Sequence, residues 1–377
     1  MAVLADARMV TPGGVVPGWL EVSGGRITAL GPGDPPEPPD RDLGWQWVVP
    51  GFVDIHVHGG ARASYMSGDP DDVASAADLH RRHGTTTTMA SLVSGAEEFL
   101  VTTVSRLADL VEDGVLAGIH LEGPFLAPAR CGAHDPALLR DPQPALVERL
   151  LAAGRGTVRM VTLAAELPQA TDAIGRITGV GALAAVGHTD ATYDETRAAI
   201  DAGATVATHL FNAMRPLHHR EPGPVPALLE DGRVIVELIC DGVHLHPAVV
   251  RTAVAAAGAD RVALVTDAMA ATGAGDGDYL LGELAVRVED GVARLVEGGA
   301  IAGSTLTMDR AFRFVVEAGV SVEDAVLMSS TNPARLLGRS DSVGSVAVGL
   351  DADLVVLDEA LACTAVMSKG SWLEPPQ

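Results

Sequence analysis

The sequence predicts an α/β chain, a (β/α)8 TIM-type barrel with a small β-sandwich domain formed by the N- and C-terminal segments. Three observations predict it. Eight β-rich segments alternate with alanine-rich helical ones at the spacing of βα units. Those segments are apolar on both faces, as strands of a buried parallel sheet are. The 377 residues also leave room for something smaller beside the roughly 250 that such a barrel needs.

Residues 1–49 hold short β-type pieces, Trp19-Leu20-Glu21-Val22 and Arg26-Ile27-Thr28-Ala29-Leu30, separated by Gly24-Gly25 and followed by a proline-rich stretch at 32–39. This is too little to fold alone. Residues 341–377 repeat the style, with Ser345-Val346-Ala347-Val348-Gly349 leading to Asp353-Leu354-Val355-Val356-Leu357-Asp358, so the two ends are expected to pair. Between them, over 50–340, the candidate barrel strands are Phe52 to Val57, Thr85 to Ala90, Gly118 to Leu121, Arg159 to Leu163, Ala182 to Val186, Thr205 to Leu210, Val234 to Ile239 and Arg261 to Thr266. A hairpin insertion is expected near 279–300, with Asp290-Gly291 as its turn. Helices follow at about 307–318 and 322–330.

Composition narrows the function. With 47% hydrophobic and 20% charged residues the chain is globular, and no apolar run approaches the roughly 18 residues of a membrane helix. Charges interrupt the N-terminal stretch before any signal-peptide core could form, so a cytoplasmic location is expected. Cys131, Cys240 and Cys363 are odd in number and lack CxxC spacing, which indicates neither a disulfide framework nor a thiolate zinc site. A net charge of −23 argues against a nucleic-acid partner. An anionic small molecule would need a local basic pocket.

The chemistry lies in where the polar residues fall. His56, His58, Glu122, His188, His209 and Asp267 stand at or just beyond the C-terminal ends of the candidate strands, the active-site face of a barrel. His56 and His58, two apart on a strand, direct both imidazoles to one side; taken alone, the pair could equally be hydrogen-bonded core histidines. Glu122 ends an apolar strand, where an ionised carboxylate is costly unless paired or metal-bound. Imidazole and carboxylate ligands without thiolates suit a divalent ion, zinc, iron, manganese or cobalt alike.

At a finer grain the sequence resembles the N-acetylglucosamine-6-phosphate deacetylases of the amidohydrolase superfamily. The segments that carry the resemblance are Pro50-Gly51-Phe52-Val53-Asp54-Ile55-His56-Val57-His58-Gly59, Leu121-Glu122-Gly123-Pro124-Phe125, Gly187-His188-Thr189, Thr208-His209-Leu210-Phe211-Asn212-Ala213-Met214, Arg220-Glu221-Pro222-Gly223, Asp241-Gly242-Val243-His244, Val265-Thr266-Asp267-Ala268 and Ala302-Gly303-Ser304-Thr305-Leu306-Thr307-Met308. The resemblance implies a metal site of Glu122, His188 and His209, with Asp267 as catalytic acid and base. Some members lack the His-x-His pair and use one metal; His56 and His58 here imply a second. Lys369 is the only lysine, so no barrel strand can supply the carboxylated lysine that bridges two metals in dihydroorotase-like and hydantoinase-like relatives.

The resemblance further implies that His134 donates to the acetamide carbonyl, and that Arg220 and His244 bind the sugar phosphate. In relatives that histidine reaches the neighbouring subunit's site, which implies a homodimer. Ala133, Asn212, Ala213, Leu306 and Met308 match positions that line the sugar pocket. A related sugar phosphate such as N-acetylgalactosamine 6-phosphate, or a non-catalytic barrel serving as a scaffold, are the competing readings. Cys131 is read as a bystander thiol beside His134, or as a site where oxidation modulates activity.

Overall fold

A computed structural model describes residues 1–373. Eight parallel strands form the barrel: Phe52–Asp54, Thr85–Thr88 continued after Met89 as Ala90–Leu92, Ile119–Glu122, Val158–Leu163, Leu183–Val186, Val206–Ala207, Ile235–Ile239 and Val262–Val265. The ring closes where Asp267 N–H donates to His56 O at 2.8 Å and His58 N–H to Ala268 O at 2.8 Å. Nearly every strand residue is buried, because helices cover the outside and side chains fill the inside. Crossover helices begin on local signals. Pro70–Arg82 follows Asp69, whose carboxylate accepts from Asp71 N–H at 2.9 Å, and Tyr193–Asp201 follows a Thr192/Glu195 capping box.

Two strands are shorter than the sequence suggests. The first stops at Asp54 rather than Val57, and the sixth is ladder-bonded only at Val206–Ala207 rather than over 205–210. The reason is functional geometry: His209 and Phe211 adopt left-handed backbone, φ 28° and 77°, which ends the ladder and turns the chain across the barrel mouth.

The insertion is a three-stranded antiparallel meander, Gly277–Leu281, Leu284–Glu289 and Val292–Leu295. Glu289 faces Val292 across Asp290-Gly291, both with positive φ, as a two-residue hairpin turn requires. Helices Met308–Glu317 and Val322–Val326 follow, the latter running on through Leu327–Thr331 and Asn332–Leu336.

The chain ends share one seven-stranded sheet, ordered 371–372, 363–368, 354–357, 41–50, 2–11, 14–23, 26–32. Its edge strand folds back, with Ile27 N–H donating to Leu350 O at 2.9 Å, so the sheet wraps a core that includes Leu4, Leu20, Val48, Leu354 and Met367. Both ends are needed to bury that core. Gly51 N–H donates to Asp353 O at 2.8 Å, fixing this sheet to the start of the first barrel strand.

Candidate metal centre

Five side chains from four strand ends, His56, His58, His188, His209 and Asp267, converge on Glu122, which ends a fifth strand. Its Oε1 lies 3.1 Å from His188 Nε2 and 3.0 Å from His209 Nε2, and its Oε2 lies 3.1 Å from His58 Nε2. Asp267 Oδ1 stands 3.1 Å from His58 Nε2 and 3.5 Å from His56 Nε2. Among the described residues, the ligand atoms of His56, His58, Glu122 and Asp267 lie within 4.8 Å of one another, and those of Glu122, His134 and His188 form a second such group. Glu122 belongs to both groups.

The layer behind sets which nitrogen faces inward. His56 Nδ1–H donates to Glu237 Oε2 at 3.0 Å, His58 Nδ1–H to Ser91 O at 3.1 Å and His188 Nδ1–H to Arg130 O at 2.9 Å. With Nδ1 so engaged, each ring turns its Nε2 to the centre, the arrangement found behind metal-ligating histidines. His188 Nε2 and His209 Nε2 approach to 3.0 Å, and His56 Nε2 is buried with no hydrogen-bond partner. Lone pairs crowded in this way need a cation among them, and the nitrogen and oxygen donor set suits a divalent transition ion.

Charge tells the same story. Burial would depress His58, but Asp267 and Glu122 beside it lift its pKa to about 9. Burial likewise opposes a charged His56, yet Glu122, Glu237 and Asp267 raise it well above the ordinary imidazole value. Glu122 is held well below the usual carboxylate range despite its burial, by His56 and the surrounding imidazoles. The cluster is thus poor in positive charge. His134 differs, because burial brings it down to about 4 and leaves it neutral.

Local backbone serves the site. His188, His209 and Asp267 all have positive φ, 47°, 28° and 49°, conformations that non-glycine residues adopt at a cost and that concentrate at functional sites. Asp267 is pinned on both sides, its O accepting from Ser304 N–H at 2.7 Å. Gly303 permits that approach, since a Cβ there would meet Asp267 O at 2.9 Å with φ +62°.

The site opens into a cavity of about 330 Å³. Of the residues singled out from sequence, His58, Glu122, Ala133, His134, His188, His209, Asn212, Ala213, His244 and Asp267 line it, while His56 sits directly beneath. Leu306, Met308 and Arg220 are not among the residues that line this cavity, whereas His244 is. Leu306 (2% exposed) and Met308 (0%) are packed in the barrel core, and Leu281, Ala300, Ile301 and Gly303 line the cavity. His244 lies in its own chain's cavity, since Asp241 Oδ2 accepts from its Nδ1–H at 2.7 Å and holds the ring inward. Arg220 is exposed, its Nη1 2.8 Å from His219 Nε2, and is not brought to this cavity within one chain.

Sequence reasoning missed Glu237, a lone acid in the apolar run Val234 to Ile239, and His120, which bridges Ser91 and Thr162 beneath the site. A charged residue inside an apolar strand was the available signal.

The profile of the amidohydrolase family matches residues 47–373. Among curated proteins, the chain is 38% identical over 378 residues to the N-acetylgalactosamine-6-phosphate deacetylase of Escherichia coli O157:H7, covering 98% of each. It is 33% identical over 385 residues to the N-acetylglucosamine-6-phosphate deacetylase of Bacillus subtilis, covering 98% of this chain and 96% of that one. Among solved structures, it superimposes with TM-score 0.95 and 51% identity, over 98% of both chains, on the D267A variant of N-acetyl-D-glucosamine-6-phosphate deacetylase from Mycobacterium smegmatis in complex with N-acetyl-D-glucosamine-6-phosphate.

Proposed function

The chain belongs to the amidohydrolase family, and from that premise we propose that it hydrolyses the acetamide of N-acetyl-D-glucosamine 6-phosphate to glucosamine 6-phosphate and acetate. The observation that carries this reading is a Glu122-centred ligand cluster opening into a cavity lined by a neutral histidine donor, His134, and the carboxylate of Asp267.

His56, His58, Glu122, His188 and His209 would hold one or two divalent ions, zinc, iron, manganese or cobalt. Bound there, the metal supplies Lewis acidity toward the carbonyl and lowers the pKa of a water. Asp267 takes the proton of the attacking water on its carboxylate and returns it to the departing amine nitrogen. His134 donates its Nε2–H to the carbonyl oxygen as negative charge develops there. Ala133, Asn212 and Ala213 border the sugar, and His244 faces the same space.

The phosphate needs a fixed cation, and Arg220, exposed on its loop, supplies one across a homodimer interface. Leu217 and Val243, 58% and 41% exposed, offer apolar surface near these two sequence segments. Free Cys131, Cys240 and Cys363 fit a reducing cytoplasm, and among the described residues no helix is long and apolar enough to cross a membrane.

The test is acetate release by protein purified without chelator, with its metal content measured. N-acetylglucosamine 6-phosphate, its galacto epimer and unphosphorylated N-acetylglucosamine are compared. Preference for the first is the expected result. Preference for the epimer, the substrate of the Escherichia coli relative, would reassign the specificity, and metal-loaded protein inert on all three would sink the reading.

A further inference from the structure

Glu237 is the only charged residue of the seventh barrel strand, Ile235–Ile239, and its side chain is fully buried. It touches no space that a substrate could enter, and the chemistry above gives it nothing to do. A buried carboxylate is costly unless its oxygens are satisfied, so the partners of Glu237 matter. Its Oε2 accepts two bonds, from His56 Nδ1–H at 3.0 Å and from the backbone N–H of His209 at 3.1 Å. Its Oε1 is buried without a partner. The carboxylate is held there for those two contacts.

Both contacts are to candidate ligands, whose rings stack with centroids 5.5 Å apart. His56 groups with His58, Glu122 and Asp267, His209 meets His188, and both turn Nε2 toward the same Glu122 Oε1, at 3.4 and 3.0 Å. The His56 ring is held by Glu237 at Nδ1, by the His120 ring set nearly perpendicular with centroids 4.6 Å apart, and at Nε2 by Glu122 Oε1 at 3.4 Å and Asp267 Oδ1 at 3.5 Å. His120 cannot replace Glu237, because its own nitrogens are engaged by Ser91 Oγ at 2.9 Å and Thr162 Oγ1 at 2.8 Å. The second bond falls on the residue whose φ is 28°, a backbone angle that needs outside support.

We propose that Glu237 is a positioning residue shared by two ligands of the metal site, fixing His56 with its proton on Nδ1 and Nε2 aimed inward, and pinning the backbone that turns His209 toward Glu122. The inference rests on the metal-dependent reading of this site. A carboxylate behind an imidazole also strengthens the ring as a ligand.

The test reads metal binding, without substrate, by competition against a graded chelator. Glu237→Gln keeps the shape and one acceptor oxygen but removes the charge, and should weaken the more loosely held metal equivalent by about 10- to 100-fold. Adding it to His56→Asn should cost less than the product of the two single losses, since the ligand through which Glu237 acts is already gone. Wild-type affinity in Glu237→Gln, or losses that multiply in full, overturns the proposal. A readout that needs no variant at Glu237 is the ring nitrogen spectrum of 15N-histidine-labelled protein, with His56→Asn assigning the signal; His56 protonated at Nε2 and bare at Nδ1 overturns it as well. Wild-type protein that binds metal yet releases no acetate would instead refute the deacetylase reading and leave this one intact.

Discussion

The backbone N–H of Ser94 donates to Nδ1 of His134 at 3.2 Å, and the Ser94 hydroxyl lies 3.0 Å from the same nitrogen. A backbone amide can only donate, so Nδ1 is the acceptor and the ring proton sits on Nε2, which faces Glu122 Oε2 at 3.4 Å. A neutral donor at that point suits a developing oxyanion better than a base would. His134→Ala should lower kcat by about 10²- to 10³-fold with metal content unchanged; steady-state kinetics with parallel metal analysis checks it.

Asp267 is the more exposed of the two cluster carboxylates that line the cavity, 8% against 3% for Glu122. Asp267→Asn preserves its volume and removes its ability to carry a proton, so turnover should fall by about 10²- to 10⁴-fold while bound metal stays at the wild-type level. Substantial residual activity would remove Asp267 from the proton-transfer role.

Arg220 should matter only for the phosphate. A charge-assisted hydrogen bond contributes about 1.5–3 kcal/mol, so Arg220→Ala should raise KM for the phosphorylated sugar by roughly 10- to 100-fold and leave that for the unphosphorylated sugar nearly unchanged. Equal effects on both substrates would argue against phosphate recognition.

His80, on the helix Pro70–Arg82, is fully buried and donates from Nε2 to Gly59 O at 2.9 Å. Burial, with a smaller contribution from His83 and against the pull of Asp309, takes its pKa down from 6.5 to about 4. The fold therefore binds this proton less well than the unfolded chain. The stability associated with the neutral ring is complete above pH 6.5 and is lost as pH falls toward 4, by up to about 3 kcal/mol. His80→Gln should flatten that dependence in denaturant titrations at pH 4.5 and 7; an unchanged slope would show that other groups dominate acid sensitivity.

Gly187, just before His188, lies where the fourth, fifth and sixth strands crowd together. A Cβ there would stand 2.6 Å from Thr208 Cβ and 2.9 Å from Thr162 Cγ2. Gly187→Ala should cost about 1–3 kcal/mol through overpacking and loosen metal binding, because Thr208 precedes His209. Thermal unfolding and chelator competition should both register the change.

The division between sequence and structure follows from range. Strand order, the barrel count and the placement of His56, His58, Glu122, His188, His209 and Asp267 were legible because each rests on a local pattern: an apolar run, its end, and one polar residue there. The pairing of the two chain ends was legible for the same reason, as each shows β pattern with too few residues to stand alone. Tertiary structure alone decided the rest. That Ala300, Ile301 and Gly303 line the cavity while Leu306 and Met308 are packed away depends on how the chain after the insertion turns back onto Asp267. That His244 stays in its own chain's cavity depends on Asp241, and that His56 presents Nε2 depends on Glu237, 181 residues away in sequence. Hydrogen bonds over such separations leave no periodicity in the chain, so an acid buried in an apolar strand marks only that a partner exists, and folding determines which one.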